Sequence, residues 1–260
     1  MQYARMAGCL AYSGRLPPPN ELEFLRKIRN RPRQYAGAIG LEDCSFLTAI
    51  ASILGPSHVV EIGTLTGFSA ALIAAAIARR SDSVEGLFVD TIDAREQCLV
   101  DETRPTGFEV AELIPELASI VRIHAPFDSK MVSQLARRAE LWFVFIDANH
   151  FHPHPLLDLL RCAPYVRPDG WVVLHDIELG TYGRQTSGAE SASPFGAEWL
   201  FEQWPFPKIS GGNIGAVQLP DDRSRLIPFA LRLLTLPFEI SGPAATRMQS
   251  ALLESLAALV

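Results

Sequence analysis

A repeating alternation of strand and helix patterns constrains this chain more than any other feature. Beyond residue 55, short β-branched or apolar runs alternate with helical stretches. "HVVEIG" precedes "FSAALIAAAIARR", "GLFVDTID" precedes "AREQCLVDE" and "EVAELIPELA", and "SIVRIH" precedes "SKMVSQLARRAE". "LWFVFID" then precedes "PLLDLLRCAPYV", and "GWVVLHD" closes the series. Strands separated by helices predict parallel neighbours joined by right-handed crossovers, because a parallel pair needs a long connection that returns over the sheet. "LWFVFI" and "WVVL" are apolar at successive positions, as expected of central strands covered by helices on both faces. "SAALIAAAIA" is apolar nearly all round and predicts a crossover helix packed tightly between neighbours.

Other segments extend this core. Pro17–Pro19 end an irregular leader, and Asn20 is placed to cap a helix over "ELEFLRKIRN". A second helix is predicted over Leu41–Leu54, stopped by Gly55-Pro56. After Asp176, "IELGTYGRQTSGAESASP" is polar and glycine-rich, the pattern of a lid or binding loop. "FGAEWLFEQW" reads as a helix, and "KIS" and "IGAVQLP" as an edge hairpin turning at "GGN". "RLIPFALRLLTL" and "AATRMQSALLESLAALV" are the last two helices. The apolar face of the second suits its own domain or a partner equally. The expected fold class is α/β: a Rossmann-like, doubly wound, mostly parallel seven-stranded sheet with helices on both faces, plus accessory helices at both ends. The expected division is 1–54 (leader and helices), 55–220 (cofactor-binding domain) and 221–260 (C-terminal helices).

Composition excludes several classes. With 48% hydrophobic and 20% charged residues over 260 positions, a sizeable globular core is expected. A net charge of −6 without a basic stripe argues against nucleic acid. The most apolar segment is about half of a membrane span, and no apolar run suits a signal peptide, so no membrane association is expected. Cys9, Cys44, Cys98 and Cys162 lie far apart without a C-x-x-C, which fits reduced thiols in a cytoplasmic protein.

"VVEIGTLTGFS" is the sharpest motif. A strand ends at Glu61-Ile62-Gly63, and Gly67 opens a helix. Glycine lets backbone pass close to a ligand, and a helix start offers free N–H groups. A dinucleotide fold would carry G-x-G-x-x-G, whereas this loop is E-x-G-x-x-x-G. Glu61 would crowd a pyrophosphate and suits a ligand that carries an amino group. The stretch resembles motif I of class I S-adenosylmethionine (SAM)-dependent methyltransferases. That resemblance implies SAM contacts at Glu61, Gly63, Thr64, Gly67 and Ser69, with an acid at the end of the second strand for the ribose. Asp93 is the preferred acid and Asp90 the alternative. Asp128 resembles the position beside the adenine, and equally suits the N-cap of the following helix.

A second constellation lies in "FVFIDANHFHPHPLLDLL" and "LRCAPYVRPDGWVVLHDI". Asp147, His150, Asp158 and the pair His175-Asp176 resemble the D-x-x-H and L-H-D pattern of a methyltransferase subgroup. That subgroup is related to small-molecule O-methyltransferases and cephalosporin-hydroxylase-like proteins. Asp147 ends the fourth strand and His175-Asp176 end the fifth, so neighbouring strands bring them together. Three arrangements stay open here. Asp147 and Asp176 can hold magnesium with a histidine nearby as base. His175 can join Asp147 and Asp176 at a transition metal, since imidazole suits such ions better than magnesium. Or His150 or His175 is a general base with no metal. His152 and His154, interleaved with Pro153 and Pro155, read as packing and as solvent-exposed respectively. The tryptophans Trp142, Trp171, Trp199 and Trp204 read as core, with Trp199 or Trp204 as alternative pocket-lining residues.

The expected function is SAM-dependent methyl transfer to a hydroxyl of a small molecule, a sugar or natural product. The cofactor is SAM, a divalent metal is a candidate second one, and the terminal helices are candidate contacts of a homo-oligomer. The alternatives are a SAM-binding regulatory or scaffold domain without catalysis, and a nucleotide-dependent oxidoreductase or hydroxylase.

Overall fold

A computed structural model describes residues 26–28, 30–32, 35, 39–181 and 195–260. Most of the leader, its helix over "ELEFLRKIRN" and most of the predicted lid (182–194) lie outside the described residues.

Seven strands form one sheet: β1 (His58–Ile62), β2 (Phe88–Ile92), β5 (Val121–His124), β6 (Leu141–Ile146), β7 (Val166–His175), β8 (Lys208–Ser210) and β9 (Ile214–Gln218). Their order is β5-β2-β1-β6-β7-β9-β8. The five strands expected from the sequence are parallel, and β9 enters antiparallel between β7 and β8 as the edge hairpin. The order reverses between β1 and β6. Crossovers leave the two strands in opposite directions there, opening a crevice at their carboxyl ends.

Strand alternation assigns the faces. Val59, Val89, Phe143, Phe145 and Val173 pack beneath α1 (Leu41–Leu54) and α2 (Phe68–Ala78). Val60, Ile62, Val144, Ile146 and Leu174 pack beneath α5 (His154–Cys162), α7 (Leu226–Leu233) and α8 (Gly242–Ala257). Helix α2 buries residues all round, as its composition predicts, because α1 and α3 (Glu109–Leu113) flank it. Helix α8 lies on α5 and sends Leu252 and Leu256 into the core.

One prediction fails. "AREQCLVDE" is not helical: β3 (Gln97–Cys98) and β4 (Asp101–Pro105) form a small antiparallel hairpin. Helix propensity is worth only tenths of a kcal/mol per residue, and tertiary bonds outweigh it here. Asp93 holds the amide of Arg95, while Thr106 bonds Glu96 through its amide and Arg95 through its hydroxyl. Cys98 buries itself against Tyr35 and Phe108. The helices predicted after β3–β4 and after β5 also shrink, to α3 and to α4 (Val132–Leu135) behind a 3-10 turn.

Candidate functional site

The crevice at the reversal point is built from two turns that touch. Gly63 follows β1 at φ +104°, and a Cβ placed there would sit 2.1 Å from the carbonyl oxygen of Asp147. No other residue fits, so the loop after β1 and the loop after β6 abut backbone to backbone. The Asp147 amide also bonds the Ile62 carbonyl at 2.8 Å. The two constellations of the sequence therefore form one site.

Glu61 points to the α1/α2 face and is fully buried. Its Oε2 accepts the Thr91 hydroxyl at 2.5 Å, and Thr91 in turn lies 2.6 Å from the Thr64 hydroxyl. Its Oε1 has no hydrogen-bond partner among the described residues. Burial raises the Glu61 pKa to about 8; the Ser69 and Thr91 hydroxyls work against this, and the charges of Asp147 and Asp93 add to it. A buried carboxyl with one orphaned oxygen and no cation is costly, and an ammonium group on a bound ligand would complete it. Glu61 thus fits the amino end of SAM.

Asp93 ends β2 and braces the same loop: its Oδ2 accepts the amides of Thr64 and Leu65 at 3.0 and 2.9 Å. Leu65 needs that support, since it holds φ +48°. From the other side Arg31 forks onto Glu109 at 2.8 and 2.6 Å, reaches Thr66 Oγ1 at 3.4 Å and lies 3.7 Å from the centre of the Phe68 ring.

Asp90 is not brought to the loop. It is fully buried in mid-strand, where it accepts from Arg122 and lies 2.7 Å from a ring nitrogen of both His58 and His124. Burial opposes its ionisation, but those bonds prevail and hold its pKa at about 2. Asp128 caps the 3-10 turn through the Lys130 amide and pairs with Arg161 at 3.2 Å. Asp158 is buried, receives the Ser129 hydroxyl at 2.5 Å and ties α5 to that same turn.

The other side of the crevice gathers charged and polar groups from four elements. His150 Nδ1 lies 2.7 Å from Asp176 Oδ2. His175 Nδ1 lies 3.1 Å from Asp147 Oδ1 and 3.5 Å from Asp176 Oδ1, while its Nε2 lies 3.4 Å from Asp43 Oδ2 on α1. Asn213, in the β8–β9 turn, donates to Asp176 Oδ1 at 2.6 Å. Asp176 sits at φ +60°, the strained turn that aims its carboxylate back at His150. Burial opposes protonation of His175, yet Asp147, Asp43 and Asp176 outweigh it and lift its pKa to about 11. Burial likewise opposes protonation of His150, and the bond and charge of Asp176 raise its pKa nonetheless.

One donor atom from each of Asp147, His175 and Asp176 lies within 4.8 Å of the others, so the set fits a divalent cation. With an imidazole among the donors, a first-row transition ion suits it better than magnesium. The histidine row divides. His150 joins the site. His152 is buried between Trp199 and Phe238, with burial lowering its pKa to about 4. His154 opens α5 half-buried rather than exposed.

Asp43, Asn213 and Thr91 escaped the sequence analysis. Asp43 looks like an ordinary first-turn acid, Asn213 like a hairpin residue, and Thr91 like a strand residue. Only the inward phase of Thr91 beside Glu61 hinted at a role, since the two are direct partners in register.

Residues 60–177 match the family model described as a methyltransferase domain. Among solved structures, the cofactor-bound Rv0187 from MTB aligns with a TM-score of 0.54 at 19% identity, covering 82% of this chain and 94% of its own. The O-methyltransferase TomG from Streptomyces achromogenes, involved in tomaymycin synthesis and solved with SAM, gives 0.51 at 18% identity, covering 84% and 99%. The SAH-bound methyltransferase PaMTH1 from Podospora anserina gives 0.51 at 13%, covering 82% and 93%. No curated protein matches the sequence.

Proposed function

We propose that residues 60–177, which match a methyltransferase domain, form a SAM-dependent methyltransferase domain of class I, and that the protein methylates a hydroxyl oxygen of a small molecule, a sugar or natural product. The observation that carries this is the contact at Gly63 and Asp147, which sets a loop suited to SAM against a histidine–aspartate pair suited to deprotonating an alcohol. SAM, when bound, supplies a methyl group already activated on a sulfonium sulfur, so the protein's task is alignment and proton removal.

Each residue then has a part. Glu61 receives the ammonium group. Gly63, Thr64, Gly67 and Ser69 shape the loop around the methionine portion. Asp93 keeps the loop closed and is the acid available to the ribose, Asp90 being committed elsewhere. His150 is the base. Asp176 accepts its Nδ1–H, which leaves the Nε2 lone pair for the acceptor's proton. Asn213 fixes Asp176, and the charge of Asp147 favours the imidazolium that forms. His175, lodged among three carboxylates, holds its proton and serves as a positioning group.

The three-donor cluster favours a second arrangement, in which Asp147, His175 and Asp176 hold a divalent cation. Such an ion would supply Lewis acidity to the acceptor's oxygen. Metal analysis of the purified protein and turnover after chelation separate the two.

Calorimetry with SAM and with NAD(P)H tests the class: binding of NAD(P)H without SAM would refute methyl transfer. Asp147→Ala and Asp176→Ala are expected to abolish turnover with SAM binding largely intact. Normal turnover in both would refute the site assignment.

A further inference from the structure

Helix α1 lies outside the matched methyltransferase domain, yet it places one carboxylate in the crevice. Asp43 is 6% exposed. Its Oδ2 accepts the Gly40 amide at 3.1 Å, which makes it the acid of a capping box. Capping does not require burial. Burying this carboxylate is costly unless a partner compensates. The partner is the Nε2 face of His175, 3.4 Å away and 132 positions along the chain.

The surroundings are shaped for this contact. The β8–β9 turn passes so close that a Cβ on Gly212 would lie 3.1 Å from Asp43 Oδ1. The next residue, Asn213, holds Asp176 from the other side. One turn thus touches both acids that flank the His175-Asp176 corner. An imidazole with a carboxylate on one nitrogen has its tautomer and ring orientation set for whatever meets the other nitrogen. Here the other nitrogen meets Asp147 and Asp176.

We infer that Asp43 is a positioning residue for methyl transfer: it takes the Nε2–H of His175 and so turns Nδ1 toward Asp147 and Asp176. This rests on the assignment of that cluster to the reaction, and it holds whether Nδ1 donates to Asp147 or ligates an ion.

The test is ¹⁵N side-chain NMR of the full chain with S-adenosylhomocysteine, alongside calorimetry with the same ligand. His175→Gln assigns the signal, and His150→Gln serves as the control that leaves it in place. In the wild-type protein Nε2 should carry a proton held by a carboxylate at neutral pH. Asp43→Asn should shift the His175 ring signals and loosen that N–H while S-adenosylhomocysteine still binds. Gly212→Ala, which crowds Asp43 without altering charge, should move the same signals. A residue that only caps α1 would leave them unmoved in the asparagine variant, and that outcome overturns the inference. If the wild-type protein fails to bind S-adenosylhomocysteine, the cofactor assignment falls first and Asp43's role with it.

Discussion

If Glu61 receives the ammonium group as proposed, SAM binding is a proton-release reaction. Glu61 is fully buried, with Oε1 unpartnered among the described residues and burial raising its pKa to about 8. At pH 7 such a group is about 90% protonated, whereas the SAM ammonium calls for the carboxylate. Binding should therefore release about 0.9 proton from Glu61 at pH 7, of which the ligand's partly neutral amino group takes back about 0.1–0.2. The apparent affinity should follow the ionised fraction, about 1% at pH 6 and about 9% at pH 7. The ligand's own amino group, with a pKa near 7.7–8.0, stays mostly charged over that range and trims the gain to about eightfold. Calorimetry in two buffers of unlike ionisation enthalpy counts the protons, and titrations at pH 6 and 7 give the affinities. Glu61→Gln should bind weakly with a flat profile. Stability moves the other way. A carboxyl whose folded pKa lies above its unfolded value stabilises the fold below pH 4.5 and loses that contribution as pH rises toward 8. The cofactor-free Glu61→Gln protein should thus gain on the order of 3 kcal/mol at pH 7 and nothing near pH 4. Wild-type binding that releases no proton, with equal affinity at pH 6 and 7, would refute the coupling.

Three further outcomes follow from the same geometry. Gly63→Ala drives a methyl group into the Asp147 carbonyl and should cost at least about 3 kcal/mol, read as a fall in melting temperature, because both neighbours are backbone. Arg31→Ala strands Glu109 as a buried charge and should cost about 3–5 kcal/mol, whereas Arg31→Ala with Glu109→Gln should recover part of the loss; denaturant melts of the single and double variants measure this. His150→Gln should reduce kcat about 10²–10⁴-fold, and in the wild-type protein kcat should climb with pH through the raised pKa of His150, an acid limb that the variant loses.

What the sequence disclosed and what it hid follow from the range of the forces involved. The five parallel strands, α1, α2 and the edge hairpin were legible because burial periodicity is written locally. Gly63 and Gly67 were legible because a positive φ selects glycine. Asp147, His175 and Asp176 were legible because the neighbouring strands β6 and β7 end side by side, and His150 through the D-x-x-H resemblance. The β3–β4 hairpin was hidden, since its fate depends on Tyr35 and Phe108, neither of which lies within the segment. Asp90 was ambiguous for a related reason. Two residues of β5 and one of β1 decide its role, and all three lie on other strands.

Asp43 was least legible, and His175 explains why. After the fifth strand this chain puts a histidine before the aspartate. An acid at 175 would repel a further buried carboxylate, so it would call for none on α1. A histidine reverses the requirement. Its ring offers a second N–H on the side away from Asp147, and leaving that donor buried and unmet would cost about 1–3 kcal/mol. Asp43 meets it, and Asp43 in turn is tolerable only because the imidazole offsets its charge. The histidine at one strand end and the acid on a distant helix are therefore one feature of the chain, linked by a contact that local pattern does not reveal.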